Sequence, residues 1–445
     1  MKVNKLLAPW KGDPRYTAMS ARAAALKKQR LSPEEIVAAL TAEFGPPVAR
    51  ATLRKAPQPY HVVGVIGDDI EPAALNQLQL ALRLPVAVRG ALMPDAHPGY
   101  ALPIGGVVAL ERAVAPAMVG VDIACRMHLT IFAEPPEEIR ARRDALFRDL
   151  QAVTAFGSQG RRARPADHAV LEDERWGLTR QLRSLRDVAA GQLGTSGAGN
   201  HFAELVVGEV LPEGGERAAD LPARFCGLLT HSGSRGVGYA VAQHYTRLAQ
   251  QETGRRAGVP RLYEWLDLDG EAGQEYWQAM ELCGAFARAC HEVIHMSFAR
   301  RARLTPLRVV QHEHNFAWRE GDLVVHRKGA TPAEAGALGI IPGSMATPAY
   351  LVEGLGNEAA LASASHGAGR RGSRADARNA ITLKMAQQYL AERDVLVAGL
   401  SVEEAPQAYK DIERVLALQV EAGLVRPLAR MQPIAVIMAG EDGDD

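Results

Sequence analysis

The sequence of 445 residues lacks several features that would restrict its environment. It has no run of about 18 apolar residues and no signal-peptide core at its start, so neither a membrane span nor secretion is indicated. Its four cysteines are sparse and show no framework spacing, which favours free thiols in a reducing compartment. We therefore expect a cytoplasmic protein that has no membrane contact.

The chain also has no excess charge and few aromatic residues. Lys+Arg and Asp+Glu both total 51, and aromatic residues make up 5% of the chain. The balanced net charge does not indicate a nucleic-acid partner, so a site for a polyanion must be a local basic patch. Hydrophobic residues, at 47%, are sufficient for a globular core, and the 42 glycines are concentrated in short motifs.

One glycine motif, ASASHGAGRRGSR at positions 362–374, surrounds His366 with small residues and follows it with Arg370, Arg371 and Arg374. Glycine lets the backbone approach an anion closely, and guanidinium groups match the geometry of phosphate. A histidine in this setting is typical of a nucleophile or acid–base group acting on phosphorus. The alternative is a glycine-rich surface turn with an exposed histidine.

The N-terminal part of the chain predicts helices and contains no motif that indicates catalysis or ligand binding. Residues 1–60 are basic and helix-prone, and we interpret them as an accessory extension. Ser32 and Pro33 predict the N-cap and the first residue of one helix. Further on, HVVGVIG from His61 predicts a strand, and residues 72–85 have the spacing of an amphipathic helix.

The C-terminal part gives two further expectations. Ser401 and Glu404 have the spacing of a capping box before a helix. Residues 439–445 form an acidic tail that we expect to be disordered.

Apolar runs lead five times into a polar residue flanked by small residues, including one run, residues 117–132, that predicts a single strand. A scaffold that directs such loops to one pocket would bring together Asp122 with Cys125, His201, His231, His314 and His366. Imidazoles, a thiolate and a carboxylate suit one or two divalent ions such as Mn²⁺, Zn²⁺ or Co²⁺. The candidates for neutralising phosphate are Arg235, Arg327, Lys328, Arg370 and Arg374. These residues predict a metal-dependent phosphoryl or nucleotidyl transferase, with His366 as candidate nucleophile.

A second motif offers a competing interpretation. HEVIH places His291, Glu292 and His295 at the spacing of a zinc-dependent hydrolase, since histidines at i and i+4 share a helix face. No clear third ligand follows, although the spacing leaves Glu313 open, so we favour a helix with histidines at its polar edge.

Nine short motifs, taken in their order along the chain, resemble those of a known protein family. MPDAHPGY, GVDIAC, GAGNHFAE, HSGSRG, HEHN, HRKGATPA, PGSM, SHGAGR and APQAYKDI closely resemble the RtcB family of RNA ligases, from about Val62 to Met438. The resemblance implies an α+β fold: one large domain over residues 61–438, with mixed sheets and helices around a central metal and nucleotide cleft.

The resemblance also implies a reaction. With two Mn²⁺ ions and GTP, His366 would form a covalent histidine–GMP and release pyrophosphate. GMP would pass to an RNA 3′-phosphate, made where needed by opening a 2′,3′-cyclic phosphate, and a 5′-hydroxyl would then displace it. The need for an activating partner such as archease stays open.

Site residues follow from the same resemblance. The implied metal ligands are Asp122, Cys125, His201, His231 and His314, with Cys125 as a bridge. The implied nucleotide contacts are Asn200, Glu204, Ser344, Ala368, Gly369 and Tyr409. The implied phosphate and RNA contacts are Asp95, Arg235, Arg370 and Arg374.

The chain departs from the family pattern at a few positions. Met438 stands where a guanine-contacting lysine is usual, and Ala349 replaces a serine that contacts the nucleotide. Ala124 and Arg126 replace glycines that are common beside the metal loop. We expect the chemistry to survive with altered nucleotide preference, as in an RNA-repair paralogue. A non-catalytic RNA-binding relative remains an alternative.

Overall fold

A computed structural model of the chain describes residues 3–10, 15–45, 52–157, 160–162, 165–253 and 258–440. The expected disorder of the acidic tail concerns residues that lie almost entirely outside this part. Within the described residues, none of the helices combines the length and apolar character needed to cross a bilayer.

The helices of the described part are α1 Val3–Leu6, α2 Tyr16–Lys28, α3 Pro33–Phe44, α4 Pro72–Ala81, α5 Pro116–Val119, α6 Pro136–Ala141, α7 Arg143–Val153, α8 Arg180–Gln192, α9 Arg235–Glu252, α10 Glu271–Ala302, α11 Arg374–Ala380, α12 Leu383–Ala391 and α13 Ile412–Glu421. Short 3₁₀ turns lie at Ala8–Trp10, Ala169–Glu172, Glu174–Gly177, Pro212–Ala218, Glu358–Ala360 and Pro406–Ala408.

The strands of the same part are β1 Tyr60–Val62, β2 Ala87–His97, β3 Ile104–Glu111, β4 Ala113–Val114, β5 Arg126–Phe132, β6 Phe202–Val210, β7 Arg224–Ser232, β8 Leu266–Asp267, β9 Pro306–Glu313, β10 Asn315–Glu320, β11 Leu323–Lys328, β12 Ala330–Pro332, β13 Leu338–Ile341, β14 Ala349–Gly354, β15 Ser363–Ser365, β16 Leu396–Ala398 and β17 Val425–Met438.

Two larger sheets dominate the described structure. The larger has the order β13-β14-β17-β6-β7-β5-β9, with β16 added beside β17. The smaller has the order β1-β2-β3-β11-β10, and two-stranded pairs join β12 to β15 and β4 to β8. Helices and mixed sheets within one domain match the α+β class that the resemblance implies.

The centre of the larger sheet is covered on both faces. Every residue of β5 is buried. Met127, Leu129 and Ile131 enter one apolar cluster, whereas His128 and Thr130 of the other face contact the buried His295 of α10. Leu205 of β6 packs with residues of α7 and α10 on one face, and Val206 packs with Leu351 of β14 on the other. A strand buried on both faces holds a fixed register, since a slip of one residue would exchange its faces. The loops at its ends are positioned accordingly.

Several local predictions are confirmed and others are wrong. Ser32 caps α3 and forms a capping box with Glu35, and α4 begins at the predicted Pro72. The strand from His61 ends at Val62, because a turn follows in which Asp69 accepts the amide of Val65 at 2.9 Å.

The run 117–132 is not one strand. Its first residues belong to α5, and β5 begins only at Arg126. Between them Gly120 and Ala124 have φ angles of +98° and +58°, which extended strands do not adopt.

The N-terminal helices bury a cluster of their own. Leu7, Met19, Leu26, Ile36 and Leu40 are buried against one another, and every member of this cluster lies between residues 3 and 44. We propose that this unit folds as an accessory extension with its own core.

Replacing Leu40, which is fully buried, with alanine should destabilise the N-terminal unit by about 2–5 kcal/mol. Amide hydrogen exchange in α2 and α3 is expected to accelerate while exchange in β6 and β17 stays unchanged. Lys28→Ala, at an exposed position of the same unit, is the control and should change stability by less than about 0.5 kcal/mol. Faster exchange throughout the large sheet in Leu40→Ala would show that the unit has no separate core.

Candidate active site

Strand pairing gathers four of the predicted ligands at one end of the large sheet. The antiparallel pairs β5–β7, β6–β7 and β5–β9 place the starts of β5 and β6 beside the ends of β7 and β9. Cys125 and His201 directly precede β5 and β6, His231 lies at the end of β7, and His314 directly follows β9. Residues that are distant in sequence therefore meet.

All five predicted ligands lie within contact distance of a neighbour. Cys125 Sγ is 3.3 Å from His201 Nε2 and 3.1 Å from His231 Nε2. His231 Nε2 is also 3.1 Å from His314 Nε2. Asp122 Oδ2 lies 2.9 Å from His201 Nε2. In the described part of the chain, Cys125, His201 and His231 form the one group whose geometry could hold a metal ion.

A hydrogen bond at His231 turns one lone pair toward the centre of the cluster. His231 Nδ1 lies 3.0 Å from the Asn200 carbonyl, which can only accept, so Nδ1 carries the proton and Nε2 presents its lone pair. Nitrogen, sulfur and carboxylate lone pairs at these distances repel unless a proton or a cation lies between them. The donor set therefore fits a borderline divalent cation.

Burial sets the protonation of the ligands. It lowers the pKa of His231 to about 3 and the pKa of His314 well below its usual value, so both rings are neutral at pH 7. Burial would raise the pKa of Asp122, but the adjacent His201 and Cys125 lower it to about 2. Burial, together with Asp122, raises the pKa of the Cys125 thiol well above normal. Its thiolate therefore requires a bound cation.

His366 is held beside this cluster by a buried carboxylate. Its Nδ1 lies 2.7 Å and its backbone nitrogen 3.2 Å from Asp95 Oδ2. The ring centroids of His366 and His314 are 5.1 Å apart. Asp95 was predicted as a phosphate or RNA contact, but it is fully buried and faces the imidazole. No sequence signal links these two residues, which are 271 positions apart.

Gly369 allows the loop of His366 to lie directly on β2. Its φ is +74°, and a Cβ added to it would overlap the Asp95 carbonyl oxygen. A side chain at this position would force apart the histidine loop and the strand that holds its carboxylate partner.

The predicted phosphate-binding arginines are already engaged by acidic residues. Arg370 Nη1 lies 3.1 Å from Glu404 Oε2, and its guanidinium lies over the Tyr409 ring at 5.4 Å. Tyr409 donates its hydroxyl hydrogen to the same carboxylate. Arg374, 40% exposed, is 3.8 Å from Glu403.

Glu404 therefore does not act in a capping box with Ser401. Asp411 caps α13 instead, by accepting the amide of Glu413.

Two other predicted phosphate-neutralising residues have structural partners. Arg327 is completely buried, where it bonds the Ser363 hydroxyl at 2.8 Å and pairs with Glu320 at 2.9 Å. Arg235 donates to the Gly157 carbonyl at 2.6 Å and to Thr195 Oγ1 at 3.3 Å. Arg327 is thus a core residue, and Arg235 ties loops together beside His201.

The predicted nucleotide contacts differ in exposure. Asn200 is exposed, Ser344 Oγ lies 2.8 Å from Thr347 Oγ1, and Ala368 donates its amide to the Pro342 carbonyl at 3.0 Å. Glu204 is 4% exposed, and burial raises its pKa to about 8, so this carboxyl is mainly protonated at pH 7.

The departures from the family pattern are accommodated. Ala349 is buried in β14. Met438 is buried with Met345, Leu390 and Val436 in an apolar cluster. Val436 lies opposite Glu204 in the pairing of β17 with β6, so the apolar cluster adjoins the protonated carboxyl.

The histidines of HEVIH are used elsewhere. His291 contacts Thr230 Oγ1 at 2.5 Å through Nδ1 and the Ser232 carbonyl at 3.1 Å through Nε2. His295 contacts Thr130 and Thr230 through its two nitrogens at 2.7 and 2.8 Å. Neither ring has a nitrogen left for a metal ion, so the alternative zinc site is wrong. The favoured position at the polar edge of the helix is wrong as well, because both rings are buried.

Comparison with known proteins identifies similar chains. Residues 77–439 match the family model described as tRNA-splicing ligase RtcB. The chain is 32% identical to RNA-splicing ligase RtcB2 of Escherichia coli over 391 residues, which cover 84% of this chain and 95% of the relative. It is 30% identical to tRNA-splicing ligase RtcB of Thermococcus kodakarensis over 419 residues, covering 78% and 86%. It is also 30% identical to RNA-splicing ligase RtcB of Mycobacterium tuberculosis, covering 80% and 98%.

Cobalt is a suitable probe of the cluster, because a Co²⁺–thiolate bond gives a charge-transfer absorption. We expect this band on adding Co²⁺ to the intact protein and its loss in Cys125→Ser. Cys283→Ser, which changes a buried free cysteine of α10, is the matched control and should retain the band. A band that persists in Cys125→Ser would place the metal elsewhere.

Proposed function

Since the chain belongs to the RtcB family of RNA-splicing ligases, we propose that it is a metal- and GTP-dependent RNA ligase. It joins RNA ends bearing a 3′-phosphate or a 2′,3′-cyclic phosphate to 5′-hydroxyl ends through a covalent histidine–GMP. The observation that supports this most directly is the Asp95–His366 pair beside the cysteine–histidine cluster.

The pair suits His366 for nucleophilic attack. The Asp95 carboxylate accepts the Nδ1 hydrogen of His366, which leaves the lone pair on Nε2. Among the described residues, none makes a hydrogen bond to this nitrogen. Nε2 would attack the α-phosphorus of GTP, forming an N–P bond while the bond to the β-phosphate oxygen breaks and pyrophosphate leaves.

The next two steps restore the enzyme. An oxygen of the RNA 3′-phosphate would attack the same phosphorus, so that the N–P bond breaks and a diphosphate links RNA to GMP. The 5′-hydroxyl oxygen would then attack the RNA phosphorus, lose its proton and expel GMP. Transfer of GMP to the RNA 3′-phosphate gives the last step a good leaving group, GMP, where a bare phosphate monoester has a poor one. A difficult reaction is thereby divided into easier steps.

We propose that the metal is manganese and that two ions bind. Asp122, Cys125, His201, His231 and His314 would hold them. Bound ions would supply positive charge near the reacting phosphates and keep the Cys125 thiol deprotonated.

We further propose that the protein selects guanine over other bases less strictly than a relative that has a lysine at the position of Met438. Met438 offers no donor, and the neighbouring Glu204 lies against an apolar cluster. Asn200, Ser344, Ala368, Gly369 and Tyr409 are the other proposed nucleotide contacts. This relaxation fits an RNA-repair paralogue with altered nucleotide preference.

A cytoplasmic site of action is also part of the proposal. All four cysteines are free and buried, as expected in a reducing compartment. Cys125 must stay reduced to act as a ligand.

Incubation with α-labelled GTP, and separately ATP, with Mn²⁺ should yield an acid-labile, base-stable labelled band. We expect His366→Ala to abolish the band. Asp95→Asn should slow its formation by at least about 100-fold, because an amide NH₂ facing Nδ1 selects the tautomer with the proton on Nε2. His61→Ala, in β1, is the control histidine.

The labelling result distinguishes the alternatives. Labelling that survives His366→Ala would contradict the proposed nucleophile. Absence of a band with either nucleotide, with RNA binding intact, would indicate the non-catalytic RNA-binding relative.

The HEVIH motif gives an independent prediction. Glu292 pairs with His168 at 3.0 Å, so Glu292→Gln should leave ligation and metal content within about 2-fold of the original values. A zinc hydrolase that uses Glu292 as a base would instead lose nearly all activity.

A further inference from the structure

Exposed aromatic side chains are rare in the described part of the chain. Three tyrosines there count as exposed: Tyr60 at 37%, Tyr239 at 51% and Tyr100 at 79%. Tyr100 is the most exposed of them, and it lies five residues after Asp95 in the loop between β2 and β3. A bare aromatic ring beside a reaction centre requires an explanation, since its burial by a partner would be favourable.

The loop that presents Tyr100 is fixed at both sides. Gln77 of α4 accepts the Gly99 amide at 2.9 Å and donates to the Gly99 carbonyl at 2.7 Å. The Tyr100 carbonyl accepts from Lys328 Nζ at 2.5 Å and from the Leu102 amide at 2.7 Å. These hydrogen bonds fix the backbone that carries the ring, so little backbone freedom is lost when a ligand stacks on it.

Contacts connect this loop to the metal loop and the nucleophile. The ammonium group of Lys328 lies 6.0 Å from the Tyr100 ring centroid, and a Cβ on Gly120 would lie 3.5 Å from Lys328 Cε. A Cβ on Gly329, the residue after Lys328, would lie 3.1 Å from His366 Cε1. Lys328 and Gly329 therefore lie between the loop of Tyr100 and both parts of the reaction centre.

Val121, the residue between Gly120 and the ligand Asp122, is 55% exposed. The exposed side chains of Tyr100 and Val121 thus lie on either side of the buried Lys328, near the proposed centre of phosphate transfer.

We propose that Tyr100 is a positioning residue on which the base of an RNA nucleotide at the ligation junction stacks. The proposal deepens the proposed function and rests on it for the identity of the substrate. Single-stranded RNA offers unstacked bases, and aromatic side chains bind them with little sequence preference.

Binding of a short single-stranded RNA with a 3′-phosphate, followed by fluorescence anisotropy, tests the proposal without requiring ligation. Tyr100→Ala should raise the Kd about 10-fold, a change within the range for loss of one base–aromatic stack. Tyr100→Phe, which keeps the ring, should stay within about 2-fold. Tyr60→Ala, which changes an exposed tyrosine of β1 bonded to Gln79, is the matched control.

Substrates with one abasic nucleotide identify the stacked base. An abasic residue at the 3′-phosphate end or at the 5′-hydroxyl end should weaken binding to the intact protein, and at one of these ends Tyr100→Ala should cause no further loss. Equal Kd values for Tyr100→Ala and the intact protein, or additive losses at both ends, would overturn the proposal.

The labelling reaction separates this result from the proposed function. Nucleotide transfer to His366 takes place before RNA reacts. The weaker RNA binding of Tyr100→Ala should therefore raise the KM for RNA and leave the labelling rate unchanged. Absence of labelling in the intact protein would count against the ligase mechanism, whereas an unchanged RNA affinity in Tyr100→Ala would count against the stacking role alone.

Discussion

The convergence of lone pairs at the end of the large sheet is the constraint on which the site depends. Cys125, His201, His231 and His314 arrive there because β5, β6, β7 and β9 are antiparallel and hold a fixed register. A strand buried on both faces cannot slip by one residue without exchanging its apolar sides. The same packing that stabilises the core therefore sets the spacing between sulfur and nitrogen atoms at 3.1 to 3.3 Å.

The second requirement is that the smaller sheet supplies the carboxylate partner of His366, the proposed nucleophile. Asp95 belongs to β2, whereas His366 follows β15, and the carboxylate bonds both the imidazole and the backbone of the histidine. The acidic residues Glu403 and Glu404 hold arginines at the other side of the histidine loop. Acidic groups thus orient His366, Arg370 and Arg374, which would reduce the side-chain freedom lost if these residues bound an anion.

The sequence could predict which residues have ligand chemistry, because short motifs with glycine and a polar residue after apolar runs are local. It also predicted Ser32 and Pro72 at helix starts, since capping depends on neighbouring residues. The Asp95–His366 bond could not be predicted in this way, since nothing local connects residues on different sheets. Burial is equally absent from the local pattern, so the sequence predicts Arg327 as a phosphate contact although it is a core residue. The spacing of Glu404 predicts a helix cap, whereas its carboxylate contacts Arg370 and Tyr409.

His314 occupies the single position between β9 of one sheet and β10 of the other. One joint between the two sheets is thus itself a candidate ligand, so ion occupancy and the mutual orientation of the sheets would be thermodynamically linked. Chelation would loosen this joint as well as empty the cluster, and whatever holds the sheets in their relative orientation also raises the affinity for the ion.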